Sequence, residues 1–180
     1  MLRHIKIPLL LFAVLLLSLG ISGLTVEKAT LEEITTESQA IVYAKIVNKV
    51  SVWEGKQINT YLTLQVFDVV KGNGISSKLT VKQMGGTVGV YSDEISGQPQ
   101  YEIGDEVFFF LVDWKGNYWI HSIALGAYSV IETGGVKYAV NGFNDIEFAE
   151  SFTKKVGEEL KGEYTLYDLS SKVKSLTVKE

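Results

Sequence analysis

The chain contains no cysteine. Disulfides, zinc–thiolate sites, iron–sulfur clusters and thiol catalysis are thereby excluded. In an exported protein the fold would have to stand on packing alone. Histidine is almost as scarce: His4 lies in a leader segment, and His121 is left without a second histidine or cysteine to complete a zinc set. No Gly-x-Ser-x-Gly elbow supports a Ser-His-Asp arrangement, although spacing alone leaves one open. Gly72, Gly74, Gly85, Gly86 and Gly89 lack the Gly-Lys-Ser/Thr step and the following helix of a phosphate loop. There is no EF-hand spacing, no internal repeat, no low-complexity tract and no linker long enough to split the chain.

Basic charge is also in deficit. The 180 residues carry 17 basic and 21 acidic side chains, a formal net charge of −4. Without Arg3 and Lys6 of the leader the balance is 15 against 21, or −6. An acidic domain with dispersed lysines is a poor ligand for nucleic acid and for an anionic membrane surface. Arg3, His4 and Lys6 precede the apolar run Ile7–Leu19, and Ser18-Leu19-Gly20 and Gly20-Ile21-Ser22 offer small residues around a possible cut. This pattern describes a secretory signal over residues 1–23, or the same segment kept as an N-terminal anchor. Secretion, or an extracytoplasmic position with membrane contact through this segment alone, is the expected localisation. The lipoprotein route is closed, since no cysteine follows the run.

What is present reads mainly as strand. Thr30 with Glu33 forms a capping box for a short helix through Ser38, with Leu31 and Ile34 on one face. From Ala40 the apolar period becomes two. Ala40–Trp53 is a long strand with Val42, Ala44, Ile46, Val50 and Val52 on one parity, and its length predicts a bulge near Asn48. Glu54-Gly55-Lys56 turns it into Asn59–Val70. There Leu62, Leu64, Val66 and Val70 share a face, and Asp68 interrupts the row. Asp68 either marks where the strand leaves the core or is a buried acid needing Lys45 or Lys82. Leu79–Met84 alternates cleanly, Gly85-Gly86 permits a change of direction, and Ser92–Gly104 is a loop by composition. Val107–Val112 is apolar on both parities, as a strand buried on two sides should be. Tyr118–Leu125, Ala127–Thr133 and Val136–Val140 are further strands. Phe148, Phe152, Val156 and Leu160 recur every four residues as an amphipathic helix. Thr165 and Asp168 open a last helix carrying Leu166, Leu169, Val173 and Leu176.

Candidate chemistry is sparse. His121 falls on a predicted strand, as a general base or a sheet-face histidine. Asp93, Glu94, Glu102, Asp105 and Glu106 bracket the irregular loop and could hold calcium or be solvated charges. Trp53, Tyr61, Tyr91, Tyr101, Trp114, Tyr118 and Trp119 crowd strand ends; exposed together they would form a binding patch. The residues singled out for binding are Tyr91, Asp93, Glu94, Tyr101, Trp114 and Trp119. No catalytic residue, metal ligand or cofactor is assigned.

Several segments together resemble a widespread set of small exported bacterial and archaeal proteins of unknown function. They are Leu31-Glu32-Glu33-Ile34 with Ser38–Val42, Thr63–Val66 with Val70-Lys71-Gly72, Val81–Gly86, and Tyr101–Leu111. The strand, Val-x-Lys-Gly, strand, Gly-Asp-x-Val series is more distantly similar to the netrin-like domains of metalloprotease inhibitors. That resemblance implies an OB-type five-stranded barrel. It does not carry their inhibitory mechanism, which uses an N-terminal cysteine and disulfides absent here. The expectation is a small OB/netrin-like β-barrel over residues 24–142 that includes the short N-terminal helix, with a signal before it and two helices over 143–180. Its function would be non-catalytic extracytoplasmic binding of a protein or envelope component. The alternatives are a hydrolase or protease-associated factor using His121 and the loop acids, and a calcium-stabilised structural envelope protein.

Overall fold

Helix α1 (Leu31–Glu37) begins where its cap predicts. The Thr30 hydroxyl accepts from the Glu33 N–H at 3.1 Å, and the Glu33 carboxylate accepts from the Thr30 N–H at 2.7 Å. This reciprocal pair satisfies two donors that a helix start leaves unbonded. The computed structural model describes residues 30–141 and 162–178. The leader and the helix expected around Phe148–Leu160 lie outside the described residues.

Strands β1 (Ala40–Glu54), β2 (Gln57–Lys71) and β3 (Lys78–Met84) follow in antiparallel succession. β4 (Gly86–Val88) and β5 (Tyr91–Asp93) form a small separate hairpin. β6 (Glu106–Trp114), β7 (Asn117–Ile120), β8 (Ala127–Thr133), β9 (Val136–Asn141) and β10 (Glu163–Thr165) complete the strands, and α2 (Leu166–Thr177) closes the described chain. The large sheet runs β1-β2-β3-β7-β6-β8-β9-β10, and β1 also pairs with β6. Hydrogen-bonded pairing therefore passes from β1 through β2, β3, β7 and β6 and returns to β1; the β3–β7 step is parallel.

Two apolar clusters share β1 and β6. The inner one joins Val42, Ile46, Leu62, Leu64, Val81, Val107, Phe109 and Leu111, with Val66 and Leu79 packed against it. The outer one sets Phe108 and Phe110 against Leu31, Ile34, Leu169 and Val173 of the two helices. The double-parity apolar run of β6 is thus buried on both faces, as its composition predicts. Each such fully buried side chain contributes roughly 1.5–3 kcal/mol.

Four details depart from the sequence expectation. Val70, expected in the row of Leu62, Leu64 and Val66, belongs to the outer cluster, because the β1–β2 register shifts at Ile41/Val42 and at Tyr43/Ala44. A further bulge falls between Ile46 and Asn48, and the inserted residue reverses the parity beyond it. Val50 is consequently 44% exposed rather than in line with Ile46, and Ser51 takes the inner position. Asp68 pairs with neither Lys45 nor Lys82; it is half-exposed and meets Lys174 of α2 at 3.1 Å. The strand expected through Leu125 stops at Ile120. His121 starts a turn in which Ser122 and Ile123 adopt φ of 49° and 60°. Gly126 lets that turn close, since a Cβ there would stand 2.7 Å from the His121 carbonyl oxygen. β8 then resumes along the same edge of β6 that β7 occupies.

Candidate ligand-binding cleft

The inner rows of three strands change from apolar to polar at one end of the sheet. On β2 the row Leu64, Leu62 continues as Thr60; on β3, Leu79 and Val81 are followed by Gln83; on β1, Ser51 stands opposite Thr60. Thr60 Oγ1 bonds Ser51 Oγ at 2.8 Å and donates to the Gly85 carbonyl at 2.7 Å. The chain crosses this polar end through Gly85 (φ 75°) and Gly86 (φ 131°). A Cβ on Gly86 would overlap both hydroxyl oxygens, and one on Gly85 would overlap the Asp93 carbonyl. Only glycine fits at either place.

The facing wall is the 98–103 segment. Gln98 Nε2 donates to the Met84 carbonyl at 2.6 Å, and Lys49 Nζ donates to the Tyr101 carbonyl at 2.6 Å and to Glu102 Oε1 at 3.0 Å. Between the walls lies an open cavity of about 340 Å³ that also reaches Gln100 and Ile103. Among the described residues Lys49 is the one cation lining it, and Glu102 neutralises that charge.

Two lining residues carry a polar atom that is buried and has no hydrogen-bond partner: Gln83 Oε1 and the Tyr101 hydroxyl. Gln83 is 7% exposed and Tyr101 2%. Buried polar groups are normally paired, and an unpaired one costs about 1–3 kcal/mol. Burial, and then the Asp105 charge, push the Tyr101 phenol far above its ordinary range, so it stays protonated and able to donate. Trp53 of β1 and Tyr91 of β5 meet edge to face with ring centres 5.7 Å apart, and both are exposed.

The six residues singled out for binding therefore separate. Tyr91, on the β4–β5 hairpin, packs on Trp53 and does not line the cleft. Asp93 packs its backbone on Gly85 while its side chain and Glu94 face solvent. Tyr101 is not a surface residue: its ring is in the core on Phe109, with centroids 5.2 Å apart. Trp114 and Trp119 lie on the opposite, outer face, in edge contact at 5.7 Å. There Lys82 sits 5.2 Å from the Trp119 ring and 5.3 Å from Tyr61, and bonds Glu54 at 2.5 Å. The Lys82 bond lowers the Glu54 pKa, and the same bond raises that of Lys82. Gln83, Thr60 and Ser51 were not singled out. Their signal was a polar residue at an inner-row position, and at Ser51 the bulge concealed it.

His121 is buried and joins two groups. Its Nε2 is 2.9 Å from Glu37 Oε2, and its Nδ1 is 2.8 Å from Ser122 Oγ. Neither His121 nor Ser122 lines the cleft. The loop acids are not gathered: Glu102 is paired with Lys49, Asp105 accepts from the Glu102 N–H at 2.8 Å, and Glu106 bonds Lys137 and Tyr43. Among the described residues no group of three or more His, Asp or Glu side chains is placed to hold a metal ion.

No family model matches the chain, and no curated protein or solved structure is found similar to it.

Proposed function

We propose that the chain is a non-catalytic extracytoplasmic binding module on an OB/netrin-like β-barrel, with its ligand site in the cleft between Met84–Thr87 and Gln98–Ile103. The five-strand pairing that returns to β1 supports the barrel reading, since closure of this kind removes the sheet edges. The binding reading is carried by one observation: an open cleft whose lysine is neutralised by Glu102 is lined by the polar side chains of Ser51, Thr60, Gln83, Gln98 and Gln100. Ligand sites are concave and carry a small number of placed polar groups. The leader pattern supports an extracytoplasmic place.

The test is ligand-linked stabilisation. Fractionated envelope material should raise the melting temperature of the wild type, because a ligand of the native state stabilises in proportion to its concentration over Kd. A variant with Gln98 and Gln100 replaced by alanine should show a smaller shift. No shift from any fraction, with both variants alike, would remove the proposal.

A hydrolytic reading has one observation in its favour, the Ser122–His121–Glu37 chain of contacts. It predicts labelling of Ser122 by a fluorophosphonate that His121→Ala abolishes. Unlabelled native protein would end it.

A further inference from the structure

Resting on the binding reading above, we infer that the cleft takes an extended, uncharged peptide, which adds an antiparallel strand to the free edge of β1 beyond its bulge. The pairing that returns to β1 uses only one half of that strand. Ala40–Lys45 pairs with β6, and Ile46 bonds Gly104 and Asp105 through its backbone. Past Ile46 the far half, Asn48–Glu54, pairs with β2 alone. The register decides which of its backbone groups are left over. Ile58 of β2 gives its carbonyl to the Gly85 N–H, on the β3 side. Alternate residues of a strand bond to the same side, so Ile58, Thr60 and Leu62 turn their backbone groups away from β1. The residues opposite them, Trp53, Ser51 and Lys49, therefore direct N–H and C=O away from β2 in turn. The Ser51–Thr60 hydroxyl contact at 2.8 Å fits this closer, non-hydrogen-bonded kind of pair. Among the described residues none of these edge groups has a backbone partner. No residue from Val47 to Gln57 of this half and its turn is buried.

The room beside this edge is that of an absent strand. The 98–104 segment runs back along β1, first joined to it and then splayed from it. At Ile46 the two meet backbone to backbone, the Gly104 N–H donating at 2.8 Å. At Lys49 a whole side chain spans the gap to the Tyr101 carbonyl. The gap is the cleft itself, with Lys49 and Ser51 on one side and Gln98, Gln100 and Ile103 on the other. A row of unpaired N–H and C=O groups is complementary to an extended polypeptide backbone. A second copy of this chain would bring too much with it. Its own β1 carries β2 alongside Asn48–Glu54, and that strand would run into the 98–103 wall.

Side chains of an added strand alternate between two environments. One set shares the face of Ser51 and points into the cleft, where hydroxyl and amide groups suit small polar residues. The lysine there is already held by Glu102, so a further charge would be desolvated without a partner. The other set lies beside Val50, which is 44% exposed, and half-buried Val52. Cross-strand neighbours of that kind favour β-branched residues. The chemistry specified is a run in which hydroxyl and β-branched residues alternate. In antiparallel pairing the residue level with Ser51 shares its face and gives its own N–H to β1. The amides of the hydroxyl residues are therefore the ones that bond.

The experiment uses the full chain and a capped Thr-Val-Thr-Val-Thr-Val peptide. Companion peptides carry Lys or Glu for every Thr, or N-methyl groups on the Thr amides alone or the Val amides alone. Titration calorimetry and backbone amide exchange report binding. In the free protein the amides of Ser51 and Trp53 should exchange fast, while those of Val50 and Val52, bonded to β2, are protected. The neutral peptide should bind and slow Ser51 and Trp53; the charged ones should bind more weakly. N-methylation of the Thr amides should lower affinity about tenfold or more, and of the Val amides far less. Ser51→Pro removes an edge donor and no bond to β2, and should abolish binding; the N-methylated pair reads the same bond with the protein untouched. Equal loss from both N-methylated peptides, or binding with Ser51 and Trp53 still fast, would overturn strand addition. Stabilisation by envelope fractions with no peptide bound would overturn the peptide inference and leave the cleft as a binding site. Neither effect would overturn both. Self-association that slows the same two amides without peptide would give the edge to a second copy and overturn the inference.

Discussion

Gly86 shows how much one missing methyl group decides. Its φ of 131° and the closeness of the Ser51 and Thr60 hydroxyls leave no volume for a side chain. Gly86→Ala should therefore lower stability by about 1–3 kcal/mol, read as a shift in the urea midpoint at constant slope. A wild-type midpoint would mean that the hairpin relaxes freely. The Gly85-Gly86 pair was legible in the chain as a point of changed direction. Its reason was not, because the hydroxyls that exclude a Cβ come from residues 26 and 35 positions earlier. Tyr101 misled for the opposite reason. It sits in a loop by composition, yet its ring turns into the core, and local composition does not record which loop side chains turn inward.

The strands were legible wherever the period stayed at two. Val42, Leu64, Val81 and Phe109 stand in the core as their parity requires. Parity failed at Val50, where a one-residue bulge inverts every later side chain, and at His121, where two non-glycine residues at positive φ end β7. Both are departures that no hydrophobic pattern announces. The last helix was legible from Leu169 and Val173, but its packing place was not. These residues complete a cluster with Leu31 and Ile34 on the outer face of β6. Leu169→Ala should cost about 2–5 kcal/mol, the range for opening a cavity under a buried leucine. Calorimetry should record one transition shifted as a whole. A separate low-temperature transition, with the main one unmoved, would show α2 to be an independent appendage.

Across the whole molecule, charge ties distant strands together. Tyr43 of β1, Glu106 of β6 and Lys137 of β9 form one network; Lys137 Nζ is 2.7 Å from the Tyr43 hydroxyl and 2.6 Å from Glu106 Oε2. Burial opposes the Glu106 charge, but its bonds to Lys137 and Tyr43 prevail and hold its pKa below the usual value. Burial and then the Glu106 bond raise the Tyr43 pKa, and the Glu106 bond raises that of Lys137. A carboxylate depressed in the native state stabilises above its unfolded pKa and loses that contribution as pH falls through the folded value. Groups raised in the native state stabilise below their unfolded pKa, and that contribution disappears as pH rises through the folded one. Stability should thus decline on both flanks, in acid below about pH 4.3 through Glu106 and in alkali above about pH 10 through Tyr43 and Lys137. Lys137→Met should flatten both flanks in melting curves taken across pH; unchanged slopes would show the network to be inert.

The joining of α1 to α2 also bears on the order of events in synthesis. Phe108 and Phe110 cannot be fully covered until residues 169–173 have emerged, more than 130 positions after Leu31. A chain emerging from a ribosome would thus hold Phe108 and Phe110 without the cover of α2 until Leu169 and Val173 follow them out.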